Sequence, residues 1–332
     1  MKFIRIILFP LVPIYYVVTY LRNKLFDYGV FKSKSYDVPV ICVGNLSTGG
    51  TGKTPMIEYL ITLLKENKSV AALSRGYKRN TEGFLLAGEN STVESIGDEP
   101  YQFHNKFQDI KVAVDADRQN GIESLLKLND APEIILLDDA FQHRRVKAGF
   151  NILLTSYDKP YYKDFVLPTG NLREPQVGRK RADVVIVTKC KPTLNEDEKA
   201  TILERLHLND KQSAFFSYID YSDVVLNSDN ALKLEALSKF TLVTGIANPK
   251  PLVDYLTNQG LTFDHIEYPD HHNFRSHEID LLLKKELILT TEKDFVRLKS
   301  IKGFEKNLFY LPIRFRLDDA SKFEAIIKNY TD

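Results

Sequence analysis

The sequence predicts an α/β protein: a P-loop-type, mostly parallel sheet with helices on both faces, a smaller C-terminal α/β domain, and an N-terminal membrane-associated helix. Three observations predict it. From Val38 onward, short β-branched apolar runs alternate with amphipathic stretches, the pattern of strands buried between two helical layers. A glycine-rich segment ending in Lys53-Thr54 follows the first of those runs. The first 34 residues differ in charge and hydropathy from everything after them.

The chain has 332 residues, 43% hydrophobic and 27% charged, which excludes disordered and collagen-like classes. Its 45 Lys and Arg against 44 Asp and Glu leave a net charge of +1. No global field attracts nucleic acid, so no nucleic-acid partner is expected and any anionic ligand must be held locally. The two cysteines, Cys42 and Cys190, each lie in an apolar run that reads as a buried strand. That placement argues against a disulfide framework or a cysteine-rich zinc site and fits a reducing cytosol.

Taken in order, residues 1–34 carry Lys2, Arg5, Arg22, Lys24, Lys32 and Lys34 against Asp27 alone. Between Arg5 and Arg22 lie sixteen uncharged, mainly apolar residues interrupted by Pro10 and Pro13. As a helix they cover about 24 Å, short of the roughly 30 Å hydrocarbon core of a bilayer. Basic ends and Tyr15, Tyr16 and Tyr20 suit a segment lying in the interface against anionic headgroups. A helix packed in the core is the competing reading; a cleaved signal peptide lacks its small-residue cleavage site. Strands are expected at Val38 to Val43, Val70 to Leu73, Lys111 to Val114, Ile134 to Leu137, Asn151 to Leu154 and Asp183 to Val187, making 35–220 a nucleotide-binding domain. Strands at Phe240 to Val243, Leu287 to Leu289 and Leu308 to Leu311 make 221–332 a smaller α/β domain.

The segment Gly44-Asn-Leu-Ser-Thr-Gly-Gly-Thr-Gly-Lys-Thr-Pro55 joins a strand to a helix whose apolar residues, Met56, Ile57, Leu60, Ile61 and Leu64, recur at helical spacing. Thr48, Gly49, Gly50, Thr51, Gly52, Lys53, Thr54 and Pro55 would form the phosphate cradle. Backbone N–H groups and the positive helix end face an anion there; Lys53 would reach the β and γ oxygens and Thr54 would hold Mg²⁺. Ser47 stands where the usual pattern has its first glycine. The metal also needs an acid ending a neighbouring strand, and Ile134-Ile-Leu-Leu-Asp138-Asp139 supplies two. Thr188-Lys189 is followed by Cys190-Lys191, without the acid of a guanine-reading tetrad, so ATP is the expected nucleotide.

Further polar clusters follow other strands, hence one rim of the sheet: Ser74-Arg75-Gly76-Tyr77, Asp115-Ala-Asp117-Arg118, Phe141-Gln142-His143, and Pro168-Thr-Gly-Asn-Leu-Arg173-Glu174-Pro175. Their arginines suit a phosphorylated acceptor, or are plain surface charges. Gly97-Asp98-Glu99-Pro100 reads equally as a solvated turn or as part of that rim. A P-loop alone leaves two functional classes open, a small-molecule kinase and a membrane-associated ATPase switch. An acceptor apparatus beside the γ-phosphate distinguishes the kinase.

These clusters in this order resemble the tetraacyldisaccharide 4'-kinase family, the lipid A kinases, and the similarity extends through Gly245-Ile-Ala-Asn-Pro249, Pro269-Asp-His271 and Thr291-Glu-Lys-Asp294. The resemblance implies an enzyme on the cytoplasmic face of a Gram-negative inner membrane. Its cofactors are ATP and Mg²⁺, and it moves the γ-phosphate to the 4'-hydroxyl of an acylated diglucosamine 1-phosphate. It implies Asp98 as base and His271 as its partner from the smaller domain, which is thereby expected to close the active site, Lys53 against the transferring group, and Thr54 with Asp138, Asp139 or both on the metal. Arg75, Tyr77, Glu99, Arg118, Gln142, His143, Arg173 and Glu174 are implied on the acceptor or nucleotide side. A zinc site at Asp270, His271, His272 and His277 is a weaker alternative, because the spacing matches no zinc motif.

Overall fold

The computed structural model describes residues 7–270, 272, 274–299 and 301–332. The chain forms two compact units, the first from residues up to 219 together with 315–332, the second from 220–314.

In the first unit the predicted apolar runs are strands: β1 (Val40–Asn45), β2 (Val70–Ser74), β3 (Leu85–Leu86), β4 (Lys111–Val114), β5 (Ile134–Asp138), β6 (Phe150–Ser156), β7 (Val184–Thr188) and β8 (Ser213–Tyr221). With the C-terminal strand Ile313–Leu317 they form one sheet in the order C-terminal strand, β8, β7, β6, β1, β5, β2, β4, β3. From β4 across to β8 every neighbouring pair is parallel, and β3 pairs antiparallel to β4.

Side chains of successive strand residues point to opposite faces, and both faces are covered, as predicted. Cys42, Leu73, Leu137, Leu153 and Val185 pack against helices Arg118–Leu126 and Glu196–Leu206 through Ile122, Leu125, Ile202 and Leu206. Ile41, Val43, Leu136, Ile152 and Ile186 pack on the other side against Met56, Ile57, Leu60, Ile61 and Leu64 of helix Lys53–Leu64. Phe323 and Ile327 of the C-terminal helix Ala320–Thr331 join that second layer. The division at residue 220 assigns this C-terminal strand and helix to the smaller domain; in the structure residues 315–332 belong to the first unit, because Phe315, Leu317 and Phe323 bury themselves there. Both cysteines are buried and unpaired.

The second unit has a six-stranded sheet from β9 (Val224–Leu226), β10 (Ala231–Lys233), β11 (Phe240–Thr244), β12 (Phe263–Glu267), β13 (Ile288–Thr290) and β14 (Leu308–Tyr310), ordered β10, β9, β14, β13, β11, β12. Its motif residues gather where parallel strands end: Gly245 after β11, Pro269 beyond β12 and Thr291 after β13. Buried Asp294 ties two of them, accepting from the Gly245 N–H at 2.8 Å and the Thr291 hydroxyl at 2.8 Å.

The N-terminal segment is a short 3₁₀ turn, Phe9–Leu11, leading into helix Val12–Asp27. Among the described residues no helix is long and apolar enough to cross a membrane. The core-helix alternative does not hold. Ile14, Val17, Val18 and Leu21, one helical stripe, are 62%, 50%, 59% and 53% exposed, and Asn23 is the helix's only buried residue.

Candidate active site

Parallel pairing sets β1 and β5 side by side with Val43 opposite Asp138, so the glycine-rich loop and the acidic pair emerge at one edge. β2 lies on the far side of β5 with Leu73 opposite Leu137, which brings Ser74 beside Asp138.

The loop is held open by its own backbone and by its neighbours. Gly49 at φ +114° and Gly52 at φ +87° occupy left-handed conformations that side-chain-bearing residues avoid, whereas Gly50 has negative φ and room for a Cβ. The conformational need therefore rests on Gly49 and Gly52 rather than on the double glycine. The Asn45 amide donates to Thr51 Oγ1 at 2.8 Å. Thr188 Oγ1 donates to the Thr51 carbonyl at 2.7 Å and Lys189 Nζ to that of Gly50 at 2.6 Å. A strap from the Pro168 to Pro175 loop closes the other side, with Thr48 N–H on the Asn171 carbonyl and Arg173 N–H on the Leu46 carbonyl, each at 2.7 Å. Lys53 and Thr54 open the helix and Pro55 sits in its first turn, where a missing N–H costs nothing.

The two acids differ. Asp139, on left-handed backbone at φ +49°, is gripped by the Arg173 guanidinium at 2.7 and 3.2 Å and lies 3.8 Å from Lys53 Nζ. Burial works to raise its pKa, but Lys53 and Arg173 outweigh it and hold the carboxyl below the ordinary value. Asp138 is buried; its Oδ2 accepts from Ser74 Oγ at 3.1 Å, while Oδ1 is buried with no partner. Burial, then the neighbouring Asp139 charge, push it up to about 6. An orphaned, reluctantly charged oxygen beside a phosphate cradle fits a cation ligand.

The remaining residues differ in their surroundings. Arg75 and Tyr77 stand exposed after β2. Asp98 is no solvated turn: it is 8% exposed and begins helix Asp98–Lys106, with Glu99 in the same first turn. Gly97 at φ +92° packs against Gly76 and Tyr77 so closely that a Cβ would meet the Tyr77 carbonyl at 3.1 Å, joining those two motifs. Arg118, Gln142, Arg173 and Glu174 are instead bound up in the scaffold. Arg118 is buried and donates to the carbonyls of Asp115 at 2.6 Å and Asp138 at 3.2 Å. Glu174 is 2% exposed and paired with Arg181 at 2.7 Å. His143 is half-buried, and burial together with Arg118 lowers its pKa.

His271 lies outside the described residues. Its neighbour His272 stacks on Tyr268 and contacts Glu278 at 2.8 Å. Among the described residues no group of three His, Cys, Asp or Glu could hold a metal. Asn45, Thr188 and Lys189 were not singled out as loop supports in the sequence, nor were Arg181 and Asn23. Only the unusual Asn45 at the strand's end lies close enough in sequence to have signalled its role.

Loop, lysine and buried acid on adjoining parallel strands make this a P-loop nucleotide-binding protein of the α/β class. That class hosts many reactions, and similarity narrows it. The tetraacyldisaccharide-1-P 4'-kinase family profile matches residues 4–332, and the chain belongs to that family. The tetraacyldisaccharide 4'-kinase of Flavobacterium johnsoniae is 51% identical, over 99% of this chain and 98% of that protein. The enzyme of that name from Bacteroides fragilis is 44% identical, over 93% of this chain and 88% of its own. The crystal structure of LpxK from Aquifex aeolicus in complex with ATP matches with a TM-score of 0.78 at 32% identity, covering 99% of this chain and 100% of that one.

Proposed function

We infer that the protein transfers the γ-phosphate of ATP to the 4'-hydroxyl of a tetraacylated diglucosamine 1-phosphate at the cytoplasmic face of a bacterial inner membrane. Family membership supports the reaction class, and the observation that carries the site is the orphaned Asp138 oxygen beside the Lys53 cradle. The Gly49 to Gly52 amides and the helix start bind the phosphates, with Lys53 neutralising charge on the group in flight. Asp138 and Thr54 would hold Mg²⁺, which would supply positive charge against the phosphates of the nucleotide. Asp139, already committed to Arg173 and Lys53, keeps the lysine aimed at the loop.

Asp98 takes the proton of the sugar hydroxyl as its oxygen bonds to the γ-phosphorus and the bond to the β–γ bridging oxygen breaks, releasing ADP. Arg75 and Tyr77 meet the acceptor in this reading, which their exposure after β2 supports. The stripe of Ile14, Val17, Val18 and Leu21 lies in the acyl boundary, with Lys24 and Lys32 toward anionic headgroups, while Lys34 is paired with Glu123 at 2.7 Å.

The test is phosphate transfer from labelled ATP to the tetraacylated disaccharide 1-phosphate, wild type against Asp98→Asn. Turnover falls by about 10²- to 10⁴-fold while ATP binding is kept. Unchanged turnover in Asp98→Asn removes that residue from the mechanism.

A further inference from the structure

The N-terminal helix is attached in an unusual way. A helix that docks on a domain ordinarily buries its apolar stripe; here Ile14, Val17, Val18 and Leu21 face outward, and beside the packing of Val12 and the Tyr15 ring on the core the inward face is tied down by polar contacts. Tyr15 donates its hydroxyl to the Arg173 carbonyl at 2.9 Å, and Arg22 donates to the Gln142 carbonyl at 3.0 Å. Arg144 donates to the Asn23 carbonyl at 2.6 Å and pairs with Asp27 at 2.8 Å. The helix's one buried side chain, Asn23, donates its amide to Glu174 Oε2 at 2.5 Å.

Glu174 is a junction. Besides Asn23 it accepts two bonds from Arg181, at 2.7 and 2.9 Å, and one from Gln142 Nε2 at 2.9 Å. That same Gln142 nitrogen donates to the Asn45 carbonyl at 2.8 Å, where β1 turns into the phosphate loop. Arg173, one residue before the junction, hydrogen-bonds both the Asn45 side chain and Asp139. Two short routes thus run from the membrane-facing helix to the loop and its acid: Asn23 to Glu174 to Gln142 to Asn45, and Tyr15 to Arg173 to Asp139.

We propose that Asn23 is a positioning residue for the nucleotide site, fixing the Asn45 end of the phosphate loop through Glu174 and Gln142. A buried carboxylate holds its orientation only while each oxygen is supplied with donors. Without the Asn23 amide, Glu174 Oε2 keeps a single partner, Glu174 and Gln142 reorient together, and the shared Gln142 nitrogen loosens from Asn45. The loop then samples conformations that do not bind the triphosphate in line. The consequence is coupling: a seated helix and an ordered loop are one state, so a molecule whose helix is lifted from its groove has a weakened phosphate site. For its turnover arm the inference rests on the kinase reading; its structural arm does not.

The experiment compares full-length wild type with Asn23→Leu, which keeps the γ-branched shape of the side chain, though larger, and lacks the donor. Three quantities are read: amide hydrogen exchange of residues 45–52 in the nucleotide-free protein, kcat and KM with detergent-dispersed disaccharide substrate, and co-sedimentation with vesicles of anionic phospholipid. Exchange across 45–52 speeds up about 10-fold or more, kcat falls about 10- to 100-fold with KM for the disaccharide within about twofold, and vesicle binding is unchanged because the outward stripe is intact. A helix that serves only as an anchor or a structural prop gives wild-type exchange across 45–52 and wild-type kcat per folded molecule, whatever the melting temperature does, and that result overturns the proposal. Should Asn23→Leu fail to fold, Asn23→Ser, whose hydroxyl falls short of Glu174, carries the same comparison. A wild type that phosphorylates no glycolipid while Asn23→Leu still loosens 45–52 sinks the kinase reading and leaves the coupling standing; normal turnover with unchanged exchange sinks the coupling alone.

Discussion

Replacing Asp138 by asparagine should make the nucleotide-free protein more stable while removing the proposed Mg²⁺ ligand. The carboxyl is buried at the end of β5, accepts one bond from Ser74, has a second oxygen with no partner, and adjoins Asp139. Burial and the Asp139 charge push its pKa up from an ordinary 3.8 to about 6; at 1.36 kcal/mol per pH unit, keeping it ionised costs about 3 kcal/mol. Asparagine removes that cost and still accepts from Ser74, but its amide now occupies the partnerless position, which returns roughly 1–2 kcal/mol. The net gain is on the order of 1–2 kcal/mol, or a few degrees in melting temperature. The sign depends on pH. Above 6 the wild type bears the full penalty; as pH falls through 6 toward 3.8 the carboxyl takes up its proton and the advantage of Asp138→Asn shrinks. Thermal unfolding at pH 8 and pH 5 measures this. Adding ATP with Mg²⁺ at pH 8 should reverse the order, because the wild type alone gains the full binding free energy of the metal complex. A variant no more stable than wild type at pH 8, or one whose advantage is the same at pH 5, refutes the reasoning.

Lys53→Ala should lower kcat at least about 10²-fold, since the lysine's charge counts most in the transition state; a change confined to KM contradicts that role. Gly97→Ala forces a side chain onto a residue at φ +92° with a Cβ 3.1 Å from the Tyr77 carbonyl. It should cost about 1–3 kcal/mol of stability and also shift Asp98, so that turnover falls further than the folded fraction does. In Val17→Ser, Val18→Ser and Leu21→Ser combined, three half-exposed side chains of the outward stripe lose their methyls, and vesicle binding should weaken by about 10-fold or more, on the order of 0.8 kcal/mol per buried CH₂ lost. Activity on detergent-dispersed substrate stays near wild type, and full vesicle binding argues that another surface meets the bilayer.

Much of the nucleotide-binding edge was legible because it is local. Strand, glycine turn, Lys53-Thr54 and amphipathic helix are contiguous, and the apolar run ending in Asp138-Asp139 carries its own signature. The nine strands read from apolar runs all exist, with bounds displaced by a few residues at most. Those not foreseen are of another kind. β8 mixes Ser213, Ser217 and Asp220 with its apolar residues, and the C-terminal strand alternates Ile313, Phe315 and Leu317 with Arg314 and Arg316, a pattern that names no sheet. Which residues touch substrate and which brace the site was also hidden. Arg118 and Arg173 read alike as rim arginines, yet one is buried beneath Asp138 and the other clamps Asp139. Asn23 gave no signal at all, since its partner Glu174 is 151 residues away in the chain.

The most direct measurement is the position of the new phosphate in the product. Wild-type protein incubated with ATP, Mg²⁺ and tetraacylated diglucosamine 1-phosphate should yield a bisphosphorylated glycolipid whose second monoester phosphorus-31 and proton NMR place on the 4'-oxygen, with one ADP released per phosphate transferred. ADP formed with no change in the glycolipid, or phosphate found on another hydroxyl, contradicts the account.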